Sequence, residues 1–237
     1  MYGSLMSNLI RQMGYVVVAT PKAEACAADL TDIVGFGVNG IEVSLGTDDF
    51  TFAPPVAWSQ DFKSTGPMRY GMKNHKRILT DVNGDGLSDA VGMHEDGVWV
   101  GLNTGTGFAP AELWLKDLGV NQNWNDLKSS RFVFDINNDG FADFIGISSS
   151  RFYVYLGHGT AVKDMDDAKK NLVSLKVPEM SDWNKSRQPL ILGDINNDGM
   201  TDIHISKTGK GLLKVKNGSQ KIRLVAVEDA LGNRSQT

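Results

Sequence analysis

Short apolar runs of four to seven residues recur along the chain, and clusters of Gly, Asn, Asp, Ser and Thr separate them. Runs of this length, rich in β-branched and aromatic residues and bounded by turn formers, predict strands rather than helices. They fall in sets of four. One set is His75–Thr80, Asp89–His94, Val98–Asn103 and Ala111–Asp117. The next is Arg131–Phe134, Asp143–Ser148, Arg151–Leu156 and Leu172–Val177. A further set is Pro189–Gly193, Asp202–Ser206, Leu212–Lys216 and Lys221–Val227. The polar stretch Asp164–Asn171 reads as a helical insertion between strands. Near the N-terminus, Tyr15–Ala19 (YVVVA) reads as a strand of an incomplete first set. A secretory leader ending near Ala25-Cys26-Ala27 is the alternative there, although Lys22 and Glu24 interrupt the approach to that site.

The sets are copies of one unit. Asp81–Asp89 (DVNGDGLSD), Asp135–Asp143 (DINNDGFAD) and Asp194–Asp202 (DINNDGMTD) begin 54 and then 59 residues apart. A step of 57 back from Asp81 reaches Glu24, which opens EACAADLTD. This copy keeps the last aspartate, Asp32, but has Cys26 and Ala28 where the others have Asn and Asp, so it is degenerate. Aromatic residues Tyr70, Trp124 and Trp183 each stand 11 positions before an intact loop, and Phe52–Trp58 (FAPPVAW) matches Phe108–Trp114 (FAPAELW). Regular placement of this kind fits residues packing a repeated core. Four short strands per unit of about 55 residues is the pattern of a β-propeller blade. The expected division is an N-terminal segment 1–23 that supplies part of a first-blade strand, a degenerate blade 24–60, three blades with loops at 61–118, 119–178 and 179–228, and the start of a following region at 229–237.

The loops carry the chemistry. In each, the first, third, fifth and ninth side chains offer oxygen, and the carbonyl of the seventh residue adds another. The candidate ligands are Asp81, Asn83, Asp85, Leu87 and Asp89; Asp135, Asn137, Asp139, Phe141 and Asp143; and Asp194, Asn196, Asp198, Met200 and Asp202. A set made only of hard oxygens suits Ca²⁺ and its shell of 6–8 ligands better than the tighter octahedron of Mg²⁺. The expected cofactor is about three Ca²⁺ ions. The loops are not EF-hands, because Gly92, Gly146 and Ile205 occupy the twelfth position where that loop needs Glu. Runs of Asn, Asp and Gly also make good turns. Even so, a chance match to five fixed positions in such a chain is on the order of one in ten thousand, and here there are three.

Composition narrows the rest. The chain has 237 residues, a formal net charge of −4 and 26 glycines. It lacks the basic stripe of a nucleic-acid binder. With Cys26 as its one cysteine it can form no internal disulfide. No apolar run approaches the roughly 18–20 residues that span a bilayer. It contains no Gly-x-Ser-x-Gly, no His-Glu-x-x-His and no phosphate-binding loop. His75, His94, His158 and His204 are not at ligand spacing from one another. No enzyme is expected.

These motifs resemble the FG-GAP/VCBS repeat family of integrin-α-like propellers and bacterial surface proteins. Val34-Gly-Phe-Gly37 looks like its Phe-Gly signature. The resemblance implies an all-β fold, a β-propeller of four-stranded blades, with Ca²⁺ between the first and second strands of each blade. About four blades are present, whereas family members often have about seven, so a fragment, a chain that pairs with another, and a smaller or open array all remain open. Two subfamilies are similar. Val34–Ile41 (VGFGVNGI) and Lys116–Trp124 resemble fungal integrin-like lectins, which bind glycans between blades; here Tyr70, Trp124 and Trp183 are the candidate ligand contacts. Asp229-Ala-Leu-Gly-Asn-Arg234 resembles the Rhs-type region that follows the propeller in B-components of bacterial insecticidal toxin complexes. The resemblance implies a secreted recognition module with a glycan or protein partner, or a structural segment of a toxin shell whose partner is the remainder of a larger polypeptide.

Overall fold

The computed structural model describes residues 13–19, 32–49, 51–63, 75–125, 129–148, 151–161, 168–169, 172–176, 190–193, 201–207, 210–213, 227–228 and 234–235. Among them, helix is confined to one 3-10 turn, Val120–Gln122, and to Ala168 and Lys169. The rest of the predicted insertion lies outside the described residues.

The strands form antiparallel meanders. β1 (Met13–Ala19), β2 (Asp32–Gly37), β3 (Ile41–Ser44) and β4 (Val56–Ser59) make the first sheet in sequence order. The second sheet comprises β5 (Lys76–Thr80), β6 (Asp89–Met93), β7 (Val98–Gly101) and β8 (Glu112–Leu115). β9 (Ser130–Phe134), β10 (Asp143–Ile147), β11 (Arg151–Tyr155) and β12 (Leu172–Lys176) form the third. A fourth sheet contains β13 (Leu190–Gly193), β14 (Asp202–Lys207) and β15 (Lys210–Leu213). Of the run predicted over Lys221–Val227, all but Val227 lies outside the described residues. Val227–Glu228 (β16) pairs instead with Arg234–Ser235 (β17) in a two-stranded ribbon.

Position within the sheet explains the sequence of each strand. The second strands, DIVGFG, DAVGM and DFIGI, are buried at every residue. A central strand covered on both faces reads as a continuous apolar run with small residues at close approaches. β9 instead alternates half-buried and buried positions. Between the second and third strands, the same turn recurs, closed by Gly37 N–H to Gly40 O at 2.7 Å, His94 N–H to Gly97 O at 2.8 Å and Ser148 N–H to Arg151 O at 2.9 Å.

The chain divides into two compact units, 1–123 with 160–164, and 124–159 with 165–237. In the first unit, Val34, Phe36, Ile41 and Val43 of sheet one share a core with Phe62 and with Ala90 of sheet two. Phe62 meets Phe36 edge-on at 6.3 Å, and Arg77 of β5 lies over the Phe36 ring while donating to the Phe62 carbonyl. In the second unit, Ile136, Ile145, Ile147, Phe152, Val154 and Leu156 form a core that Ile203 of the fourth sheet joins.

Candidate metal loops and an aromatic cleft

Loop 81–88 joins β5 to β6, and loop 135–142 joins β9 to β10, so each connects the first and second strands of its sheet. The two share most of their bonds and differ at Oδ1 of the first aspartate. The first aspartate folds the chain around itself: Asp81 Oδ2 accepts from Gly86 N–H at 2.7 Å, and Asp135 Oδ2 from Gly140 N–H at 2.8 Å. Asp81 Oδ1 accepts from Gly84 N–H at 2.7 Å, and Asp135 Oδ1 from Asp139 N–H at 3.2 Å. The fifth aspartate makes a local turn, with Leu87 N–H on Asp85 Oδ1 at 2.8 Å and Phe141 N–H on Asp139 Oδ1 at 3.0 Å. The third-position amide donates to the other oxygen of that carboxylate at 2.8 Å in both loops. The sixth position is glycine, with φ of 85° in Gly86 and 91° in Gly140, a left-handed conformation that costs glycine little. At the fourth position Asn138 (φ 57°) stands where the other loop has Gly84 (φ 77°), and Asn tolerates this region better than most residues.

The ninth aspartates differ from these in burial. Asp89 and Asp143 are fully buried. Asp89 accepts from Val82 N–H at 2.9 Å and Asn103 N–H at 2.8 Å, and Asp143 accepts from Ile136 N–H and Gly157 N–H, both at 2.8 Å. Burial pushes Asp89 up to about 6 and Asp143 to about 7, against the lowering effect of those hydrogen bonds; the neighbouring carboxylates Asp85 and Asp81, and Asp139 and Asp135, add to the rise. Among the described residues, no three His, Cys, Asp or Glu side chains form a group suited to holding a metal. Asp85 and Asp139 are exposed, and Asp81, Asn83, Asp135 and Asn137 are half-buried. Loop residues Asp194, Asn196, Asp198 and Met200 lie outside the described residues; Asp202 opens β14, its backbone opposite Gly193.

Of the three aromatic candidates, Tyr70 and Trp183 lie outside the described residues. Trp124 is only 7% exposed and meets Tyr153 edge-on at 5.4 Å, which leaves little of its surface for a stacking ligand. An aromatic cleft lies elsewhere, in the first unit. Ala57, Trp58, Ser59, Gln60 and Asp61, at the end of β4, and Phe108 and Pro110, ahead of β8, line about 360 Å³. The Trp58 and Phe108 rings are 5.7 Å apart at 60°. Asp61 Oδ2 accepts from Ala111 N–H at 2.9 Å, and its own N–H donates to Ser59 Oγ at 3.0 Å. Both aromatics belong to the repeated block read as core packing. The signal available in the sequence was the polar Ser59-Gln60-Asp61 that follows Trp58, where Trp114 is followed by Leu115.

The structure also brings together two histidines that sequence spacing kept apart. His75 and His94, just outside the β5–β6 pairing, are buried with ring centroids 4.5 Å apart. Asp96 Oδ1 is 3.9 Å from His94 Nδ1.

Residues 135–205 match the model of the FG-GAP-like repeat family. No curated protein matches the chain. Among solved structures, the chain is similar to an Agrocybe aegerita lectin described for specific recognition of non-reducing terminal N-acetylglucosamine. The identity is 28% and the TM-score 0.69, over 84% of this chain and 48% of the lectin. It is also similar in fold to part of the Photorhabdus luminescens Tc holotoxin pore, at 19% identity and a TM-score of 0.55, over 76% of this chain and 8% of that one. Residues 135–205 thus carry an FG-GAP-like repeat, the fold is all-β and of the β-propeller kind, and the chain spans less than half the length of the lectin. Among the described residues, no helix is long and apolar enough to cross a membrane.

Proposed function

We propose that the chain is a non-catalytic, calcium-stabilised recognition module that acts outside the cell and binds a glycan through the cleft at Trp58. The observation that carries this reading is the cleft itself, in a chain that aligns over most of its length with a lectin. A half-exposed indole offers an apolar face with a polar edge. Ser59, Gln60 and Asp61 place hydroxyl, amide and carboxylate groups beside it. Apolar walls with a few convergent polar groups are what a small polar ligand requires.

The loops fit calcium by the chemistry of their donors. Asp81, Asn83 and Asp85 with the Leu87 carbonyl, and Asp135, Asn137 and Asp139 with the Phe141 carbonyl, would hold the ion. Asp194, Asn196, Asp198, Met200 and Asp202 are proposed for the third loop on sequence alone. Bound calcium would neutralise crowded carboxylates and convert binding free energy into folding free energy. Millimolar extracellular calcium suits weak oxygen-only sites.

The test is a glycan array probed with the chain in calcium, followed by titration of any hit. Binding to terminal amino sugars that Trp58→Ala abolishes would support the reading, and an array without hits would sink it. A second reading, a structural segment of a secreted toxin with no small ligand of its own, is favoured by the ribbon of β16 and β17. That ribbon pairs Glu228 with Arg234, the last residue of Asp229-Ala-Leu-Gly-Asn-Arg234, the phrase that resembles a shell region. An empty array, together with a coding sequence that continues into Tyr-Asp repeats, would favour it.

A further inference from the structure

The aspartates that end the loops make one bond in three sheets. Asp32 Oδ1 accepts from Gly46 N–H at 2.7 Å, Asp89 Oδ1 from Asn103 N–H at 2.8 Å and Asp143 Oδ1 from Gly157 N–H at 2.8 Å. In each case the donor lies 14 residues on and two residues beyond the end of the third strand. In the two intact copies whose loops are described, the second oxygen holds the N–H seven residues back, at Val82 and Ile136. One buried carboxylate therefore joins the loop, the start of the second strand and the exit from the third.

The degenerate copy separates two roles. It has lost the oxygen side chains at the third and fifth positions to Cys26 and Ala28, yet it keeps Asp32, buried and bonded to Gly46. A carboxylate that only served an ion would have no use there. We infer that the ninth-position aspartate is a positioning residue that clasps each blade, and that this clasp works without metal. Buried or half-buried N–H groups left without an acceptor are costly, so the clasp holds the third-strand exit in these three copies, whether or not the loop takes up an ion. In the second sheet that exit leads through Asn103 to Phe108, paired with it in a bridge, and so to one wall of the cleft.

The test compares Asp32→Ala, Asp32→Asn, Asp89→Ala and Asp85→Ala by thermal melting, in EDTA and in calcium. The clasp predicts that Asp32→Ala lowers the melting temperature equally in both buffers, by roughly 2–10 °C. Asp89→Ala should also lower it in EDTA, and by more than Asp85→Ala does, because the bonds lost with Asp85 are exposed and those lost with Asp89 are buried. Amide exchange supplies a local readout that holds even if Asp89→Ala fails to fold. Protection of Gly46 N–H should fall in Asp32→Ala and be largely kept in Asp32→Asn, whose amide oxygen can still accept, while that of the strand pair Val34–Val43 persists in both. Parent-like melting and Gly46 protection in Asp32→Ala, or an Asp89 effect confined to calcium, would overturn the clasp. Absence of any calcium effect on the parent would sink the calcium reading and leave the clasp standing.

Discussion

The backbone N–H of Phe108 donates to the carbonyl of Trp58 at 3.1 Å, and their rings meet at 5.7 Å. These residues come from adjacent sheets and lie 50 positions apart. The bond, with that of Ala111 N–H to Asp61 nearby, stitches the end of β4 to the approach to β8 and fixes both aromatic walls of the cleft.

A ligand that stacks in this cleft depends on the indole. Truncating a central aromatic anchor commonly costs about 2 kcal/mol or more of binding. Trp58→Ala should therefore weaken glycan binding by roughly 30-fold or more. Trp124→Ala should act mainly on stability, because that ring is buried against Tyr153. Titration calorimetry and thermal melting on both variants check the split; equal loss of binding in the two would place the ligand elsewhere.

Calcium should raise the melting temperature selectively. At 100 times the dissociation constant, one ion adds about 2.7 kcal/mol. Asp139→Ala removes the fifth-position carboxylate of one loop and should eliminate one equivalent of bound calcium, and Asp198→Ala should do the same for the third loop. Melting in EDTA and in about 2 mM Ca²⁺, an extracellular level, with Mg²⁺ as control, checks this. A cooperative transition indifferent to calcium would reduce the loops to turns.

The buried carboxylates give the calcium-free protein a distinctive pH dependence. Asp143 rises from 3.8 to about 7 and Asp89 from 3.8 to about 6, mainly because burial disfavours the charged form. The folded state then binds more protons than the unfolded state between these values, so their contribution is present below about pH 4 and is lost as pH climbs through 6 to 7. In EDTA, stability should fall from pH 5 to pH 8, with a smaller fall in Asp143→Asn. Calcium should flatten the slope, because a nearby cation favours ionised carboxylates. Identical slopes for parent and variant would contradict the assignment.

Two glycines separate backbone strain from collision. A Cβ on Gly97 would sit 2.1 Å from the Leu115 carbonyl oxygen, because β8 passes directly over the turn. Gly40 repeats the arrangement, at 2.0 Å from the Ser59 oxygen. Gly86 has a positive φ but open space around it. Gly97→Ala should cost about 3–5 kcal/mol, and Gly86→Ala about 1–2 kcal/mol. Urea melts of both variants check the ranking, which equal losses would refute.

Much of the fold was legible because its signals are local. The strand runs lie within one or two residues of the observed strands in the second and third sheets, since each run and its bounding turn residues are contiguous. The loop residues were legible for the same reason: Asp81, Asn83 and Asp85 act on backbone groups within five positions. The sequence by itself determined the repeat, the all-β class and the turn chemistry. Tertiary structure decided what depends on pairs distant in sequence. Burial made Asp89 and Asp143 clasps reaching 14 residues on, sheet packing set Trp58 against Phe108, and the pairing of β5 with β6 set His75 beside His94. Periodicity specifies which face of a strand is apolar, but which neighbour covers it is set only when the sheets close on one another.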